Sequence, residues 1–277
     1  MNTSTYETDF KHGGTVRSRN FLTRLKDVQL HLLAPAHGIG TTIRHRFPNV
    51  TADSPSYRQL MQEAFLLRER FKTSTALRAP APEKEDPRDL ACWQVLAVAK
   101  GTVVGAARVR AYASPELPTA AELFTFGDIA IVDPAERGSV SKAYERFSRG
   151  HIESDGAFGL AGGLAVTPER QGSGLGPVLA LAVSALFAHL GARGGCLASP
   201  YDTGPAQMYS RVGGTPLALD GVELPPFLCA NHGHLGLIFA LKSLQCEPLW
   251  AETLRALRSW VADTAVVLSH IQEDIAC

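Results

Sequence analysis

The stretch from Gln171 to Gly176 reads QGSGLG, with Pro177 and a long apolar run behind it. Three glycines weaken a helix start by about 1 kcal/mol each relative to alanine, so the pattern points to a demand of function. A loop at a helix start presents unpaired backbone N–H groups and the positive end of the helix dipole. Glycines let a phosphate approach those groups closely. Pro177 fits the first helical turn, where a missing N–H costs little. Other glycine motifs fail on spacing. A Walker loop needs GxxxxGK[ST], and no lysine lies here. A dinucleotide fingerprint needs GxGxxG, and the spacing here is GxGxG. A nucleophile elbow needs GxSxG, but Gln171 stands two residues before Ser173. The chemistry left is a backbone cradle for a phosphate-bearing ligand.

Gln171-x-x-Gly174-x-Gly176, preceded by Val166-Thr167-Pro168, resembles the pyrophosphate loop of the GNAT superfamily of N-acyltransferases. Downstream, AQMYSRVGGTPL (206–217) resembles that family's second motif and puts Tyr209 on the helix after the next strand. Gly214 stands where the family often has an aromatic residue. The two motifs span about 158–217, and the resemblance extends more weakly through 41–245. Further upstream, AFLLRERFKTS followed by an acidic loop and WQVLAVAKGTVVGAARVRAY is similar to the acyl-homoserine-lactone synthases and the long-chain N-acyl amino acid synthases. Leu67, Arg68, Phe71, Gly105 and Arg108 carry that second likeness.

The resemblance implies an α/β (α+β) fold. A mixed central sheet of about six to seven strands would be flanked by helices and splayed between 158–166 and 194–199. Residues 1–40 read as an N-terminal extension, 41–245 as the acyltransferase domain and 246–277 as a C-terminal helix packed on it. The N–H groups of Gln171, Gly172, Ser173, Gly174, Leu175 and Gly176 would bind the pyrophosphate of acyl-CoA or the phosphopantetheine of an acyl carrier protein. The backbone at Leu164, Ala165 and Val166 would receive the pantetheine arm and polarise the thioester carbonyl, and Tyr209 would protonate the departing thiolate. Acyl-CoA would be a co-substrate, with no cofactor bound permanently and no metal.

The acceptor so implied is a primary amine of a small molecule, amino acid or peptide side chain. Freeing a lysine-like amine at pH 7 costs roughly 4–5 kcal/mol, its pKa being about 10.4, so a base is needed. The family often carries a glutamate on the strand before the loop, and FGLAGGLAV (158–166) has none. Glu153 and Asp155 are the first candidates, followed by His151, Asp128 and Asp202. Arg68, Phe71, Arg108 and His232 are expected to contact substrate. His232 belongs to NHGH (231–234), which reads as a turn before the last strand, on the acceptor side of the family fold. Gly159, Ala161, Gly162 and Gly163 would leave room for a medium- or long-chain acyl group ahead of acetyl. Two alternatives stand: an acetyl-CoA-dependent acetyltransferase of a small amine, and a non-catalytic acyl-CoA-binding regulatory module.

The elements that must position these residues read as follows. SPSYRQLMQEAFLLRERF (54–71) has a capping serine, a proline at the first helical position and apolar residues at helical spacing. Residues 74–91 are rich in proline and charge and read as an exposed loop. Residues 92–112 form a hairpin turning at Lys100-Gly101. TTIRHRF (41–47) alternates like a half-buried strand. FTFGDIAIV reads as strand or loop, and a helix is expected near 139–148. Residues 248–271 read as an amphipathic helix, broken in its middle, that covers a sheet edge or forms a homodimer contact.

Composition narrows the class. Of 277 residues 45% are hydrophobic, enough for a substantial core, and 27 basic residues balance 27 acidic ones. A dedicated nucleic-acid binder would be basic. Five cysteines without CxxC spacing give neither a disulfide framework nor a zinc ribbon. No apolar run reaches the ~20 residues of a membrane span, and the polar start lacks a signal-peptide core. The expectation is a cytoplasmic protein.

Overall fold

The computed structural model describes residues 25–36, 43, 45–75, 86–201, 204–242 and 245–269, with the backbone alone for 71–75. The N-terminal part comprises β1 (Val28–Leu33), β2 (Val50–Ala52) and α1 (Ser54–Thr75). A helical turn α2 (Pro87–Leu90) leads into the hairpin of β3 (Trp93–Ala99) and β4 (Thr102–Ala113). Helices α3 (Ala120–Gly127) and α4 (Pro134–Asp155) precede β5 (Ala157–Val166). Next come α5 (Leu175–His189), β6 (Gly194–Pro200), α6 (Gly204–Arg211) and β7 (Gly214–Pro216). A small ribbon of β8 (Ala218–Leu219) and β9 (Val222–Glu223) is followed by β10 (Phe227–Cys229) and β11 (His234–Lys242). The described chain closes with α7 (Ala251–Asp263) and β12 (Val266–Leu268).

Among the described residues, ten strands make one mixed sheet, in the order β10-β11-β6-β5-β4-β3-β1-β12-β2, with β7 also paired to β11. The mixed α/β architecture expected from the motifs is present, with more strands than the six or seven foreseen. The extra ones are three-residue pieces (β2, β7, β10, β12) too short to show a period of two. β12 lies parallel between β1 and β2, so residues on both sides of 41–245 add strands to this sheet. The expected broken C-terminal helix is α7 followed by β12.

Local chemistry explains the other differences. Of 41–47, the described residues Ile43, His45 and Arg46 are helical; Ile43 and Phe47 are both buried, at helical spacing. Asp53 rather than Ser54 caps α1, its carboxylate accepting from Ser56 N at 3.2 Å. FTFG ends α3, which opens with a Thr119/Glu122 capping box and closes at Asp128 in the left-handed region (φ 54°). α4 is far longer than 139–148, because Asp133 caps it, Pro134 starts it and Gly156 (φ 77°) stops it. The hairpin turns at Lys100 (φ 52°) and Gly101 (φ 77°) as foreseen.

Helices cover both faces of the sheet. α5 and α7 pack on one core, lined by Val95, Val109, Ala161, Leu179, Phe187 and Phe239 among others. α3 and α4 pack on the other face over Tyr112, Phe158, Leu160 and Ile238, with α1 beside them over Leu96, Ala106 and Ala165. β5 lies at the centre and, among the described residues, pairs with β6 only through Gly159–Ala161 and Gly195–Leu197. Beyond Ala161 the two parallel strands part. Across β5's other edge, Ala106 faces Ala165 while Arg108 faces Gly162. Gly163 and Leu164 therefore oppose the single residue Ala107, a bulge with Gly163 at φ 59°.

The small residues of β5 admit neighbours closely. A Cβ on Gly159 would lie 2.2 Å from the Phe187 ring of α5. We expect Gly159→Ala to destabilise the fold by about 1–3 kcal/mol through overpacking. A denaturant midpoint shifts down accordingly; an unchanged midpoint would show that Phe187 has room to withdraw.

Candidate active site

The loop between β5 and α5 explains its alternating glycines. Gln171 N donates to Pro168 O at 3.2 Å, and Ser173 N to Arg170 O at 3.2 Å. Leu175 N reaches Ser173 Oγ at 3.4 Å, and that hydroxyl donates to Arg170 O at 2.6 Å. Among the described residues, the N–H groups of Gly172, Gly174 and Gly176 meet no acceptor. The cradle is thus narrower than the six amides expected from Gln171 to Gly176. Three glycine amides, one every second residue, are thus left without an acceptor among the described residues at the start of α5. Gly172 (φ 74°) and Gly174 (φ 92°) hold backbone that side chains strain. The Gln171 side chain ties the loop to its strand, Nε2 donating to Val166 O at 3.4 Å.

Where the strands part, a small apolar cleft is lined by Ala107, Ala161, Leu164, Ala180, Leu197 and Tyr209, among others. Tyr209 is 6% exposed, and its ring packs against Phe239 at 5.8 Å. Burial raises its pKa above the ordinary phenol value, so the hydroxyl stays protonated. Leu164 and Tyr209 therefore meet in this cleft and Val166 shares their core, whereas Ala165 faces the α1 side of the sheet. The room expected at the small residues is largely taken. Phe187 fills the space over Gly159, the Phe126 ring lies 2.9 Å from where a Gly162 Cβ would be, and Arg68 and Arg108 crowd Gly163.

Arg68 and Arg108 belong to a buried ion cluster instead of an open substrate surface. Their relative exposures are 5% and 4%. Arg68 Nη2 donates to Asp89 Oδ2 at 2.5 Å and Nη1 to Gln94 Oε1 at 3.2 Å. Arg108 Nη1 donates to Asp89 Oδ1 at 2.8 Å and to Asp86 Oδ2 at 3.3 Å, and Nη2 to Phe126 O at 2.5 Å. The Arg108 guanidinium also stacks on the Phe126 ring, 4.7 Å from its centroid. The exposed loop expected over 74–91 is corrected at its described end, since Asp86 and Asp89 are buried. Their signal was readable: Asp86-Pro87 is a cap with proline at N1, and Asp89 follows on the same turn. The cluster presses the aliphatic stems of Arg68 and Arg108 against Gly163 and so fixes the bulge. Phe71's side chain lies outside the described residues.

The base candidates fall in two places. Glu153 and Asp155 end α4, just before β5 begins. A ten-residue strand is about 30 Å long, which puts both at the far end of β5 from Leu164–Val166. As catalytic groups they are therefore corrected by topology. Asp155 is paired with His151 at 2.8 Å, whose hydrogen bond holds its carboxyl below the usual range. Asp202 lies outside the described residues. Asp128 and His232 do come together: His232 Nε2 lies 3.1 Å from Asp128 O, and Asn231 Nδ2 donates to Asp128 O and Oδ1, both at 3.2 Å. Cys196, fully buried, has its thiol pKa raised by burial, as suits a packing residue.

No protein-family model matches the chain, and no curated protein matches it. Among solved structures, it is similar to a CoA-dependent acyl-homoserine lactone synthase, BjaI, with SAM and isopentyl-CoA. The identity is 16% over 89% of this chain and 96% of that one, with a TM-score of 0.48. A Drosophila melanogaster polyamine N-acetyltransferase shares 15% over 78% of this chain and all (100%) of its own, with a TM-score of 0.43. A ribosomal-protein-S5-alanine acetyltransferase from Vibrio fischeri shares 10% over 80% and 96%, with a TM-score of 0.42.

The ion cluster has two measurable consequences. Asp89→Asn leaves two buried guanidinium groups short of a counter-charge, which costs about 3–5 kcal/mol in a denaturant titration. Asp86 adds a pH signature. Burial pushes its carboxyl up, but the hydrogen bonds and charge of Arg88 outweigh this and hold its pKa at about 2 against 3.8 in an open chain. A depressed pKa stabilises the fold above the unfolded value and loses that contribution as pH falls through the folded one. Wild type should lose up to about 2 kcal/mol between pH 5 and pH 2 that Asp86→Asn, already lacking it, does not lose. Parallel pH profiles for the two would refute this assignment.

Proposed function

We propose that the protein is an N-acyltransferase moving an acyl group from a CoA or acyl-carrier-protein thioester to a primary amine. One observation carries the reading. Where β5 and β6 part, a small apolar cleft brings Leu164 of β5 and Tyr209 together, and the same β5 runs on into the loop that carries the free glycine amides. Phosphate would sit on the N–H groups of Gly172, Gly174 and Gly176. The pantetheine arm would take the place of β6 beside β5 at Leu164–Val166. Backbone donors aimed at a thioester oxygen stabilise the tetrahedral oxyanion, each worth roughly 3 kcal/mol. Tyr209, held neutral by burial, would donate to the sulfur as its bond to carbon breaks. A phenol of raised pKa is a weak acid beside a thiol, whose usual pKa is about 8.5, so much of its contribution is a hydrogen bond to the developing thiolate.

The filled space around β5 bears on chain length. With Phe187, Phe126, Arg68 and Arg108 occupying the volume beside its glycines, an acetyl or other short acyl group fits better than the medium or long chain first expected. CoA and carrier-protein donors share the phosphopantetheine arm and are separated by assay. The reading places the protein in the cytoplasm, where such thioesters are used. No helix among the described residues is long and apolar enough to cross a membrane. A homodimer would have to use surfaces other than β12, which lies within the sheet.

Mass spectrometry of the protein purified from its own host should find CoA or an acyl-phosphopantetheine bound. Thiol release from acetyl-CoA, octanoyl-CoA and an acyl carrier protein, with a panel of primary amines, should reveal turnover. Tight CoA binding without turnover of any donor would leave the non-catalytic module as the answer. Tyr209→Phe should lower kcat by about 100-fold with little change in donor binding. Gly174→Val, strained at φ 92°, should act the other way, raising the donor KM more than it lowers kcat.

A further inference from the structure

β5 offers no carboxylate at the thioester position, so a base for the amine must come from elements that reach the open end of the cleft. β11 pairs antiparallel with β6 from Lys242 opposite Gly194 to Gly236 opposite Pro200. His234 therefore lies just past the end of β6, at the end where β5 and β6 have parted. Its face follows from alternation. Leu237, Phe239 and Leu241 belong to the α5 core, while Ile238 packs in the α3 and α4 core. His234 has the parity of Ile238. On that same side, a Cβ on Gly127 at the end of α3 would lie 3.3 Å from Ala198 of β6, and Asp128 follows directly. An amine approaching from the α3 face would meet Asp128, His232 and His234.

The hydrogen bonds there select tautomers. His234 Nδ1 lies 3.2 Å from His232 O. A carbonyl oxygen only accepts, so Nδ1 carries the proton and Nε2 keeps its lone pair. His232 is the opposite case: its Nε2 points at Asp128 O, 3.1 Å away, and carries the proton. The two rings stack at 5.3 Å and 22°. His232 is thus clamped to the α3 cap and holds His234 in orientation, with the His234 lone pair as the basic nitrogen of the group. His234 is half-buried, not sealed, so it can exchange protons.

We propose that Nε2 of His234 is the general base of the site, with His232 its positioning residue; this rests on the acyl-transfer reading above. The amine nitrogen attacks the thioester carbonyl carbon and forms the C–N bond. Its proton passes to Nε2, directly or through one water. The C–S bond breaks with its electron pair on sulfur, the Tyr209 hydroxyl hydrogen-bonding to the developing thiolate. The imidazolium releases its proton to solvent, and the thiolate takes one up from solvent. The sum is thioester plus amine giving amide plus thiol.

The test uses His234→Asn, whose amide reproduces the Nδ1 donor to His232 O without the lone pair, and His234→Ala. Amine-dependent thiol release from acetyl-CoA or octanoyl-CoA should fall about 100-fold in kcat in both, with donor KM within about twofold of wild type. Added imidazole should restore turnover to His234→Ala, and His232→Ala should lose less than either. Wild-type kcat in His234→Asn, or a loss in His234→Ala that imidazole does not repair, overturns the base. If wild type itself releases no thiol from any donor, the acyl-transfer reading fails and the base falls with it. Turnover by wild type with an unaffected His234→Asn removes the base alone.

Discussion

Past Ala161, β5 has β4 on one side and, among the described residues, no hydrogen-bonded strand on the other. The candidate site depends on that broken pairing. Unpaired backbone inside a protein costs free energy comparable to a lost hydrogen bond for each group, so the open edge must be offset elsewhere and kept from closing. The bulge at Gly163–Leu164 helps to keep it open by turning the strand out of register with β4. The bulge in turn is held from behind by Arg68 and Arg108. Their guanidinium groups are locked by Asp86, Asp89, Gln94 and the Phe126 carbonyl.

An ion cluster is an expensive way to support a strand, since desolvating charges costs several kcal/mol per ion before pairing repays it. What it supplies here is direction. Apolar side chains could fill the same volume and slide, whereas two guanidinium forks with fixed carboxylates hold their stems in one place. α1, the α2 turn, β4 and the end of α3 all contribute to it. The same cluster therefore sets the position of Gly127 and Asp128 over β6. A single buried network therefore bears on both the open edge of β5 and the α3 face over β6.

The sequence was most legible where one short segment carries its own geometry. The glycine loop, the hairpin at Lys100-Gly101, β5, β6 and the helix bearing Tyr209 were all readable, because spacing, turn residues or a local motif determined them. The site was half legible for the same reason: the loop and Tyr209 are neighbours through one β-α-β-α unit. The rest depends on long-range pairing. β12 joins β1 and β2 from more than 200 residues away, and three residues show no periodicity. Asp86 and Asp89 looked like solvated loop charges until Arg68 and Arg108 were placed beside them. Glu153 and Asp155 are close to β5 in sequence but at its wrong end, an ambiguity that only strand direction resolves. His234 gave no signal beyond its place in NHGH, since its tautomer depends on a carbonyl two residues away and its location on the pairing of β11 with β6.

The alternating glycines also take on a more specific meaning than permissiveness. Within QGSGLG the odd-numbered amides are spent internally: Gln171 on Pro168, Ser173 on Arg170, and Leu175 on the Ser173 hydroxyl. Those bonds build the turn. The even-numbered amides belong to glycine and meet no acceptor among the described residues. A loop that closes half its amides on itself keeps its shape when empty, so little ordering remains to be done when an anion arrives. A run with side chains at 172 and 174 would strain at those positive φ values and lose the turn that aims the free donors. The helix-propensity penalty noted at the outset is therefore the cost of a preorganised row of three donors. That row lies directly ahead of the strand edge that the buried arginines hold open.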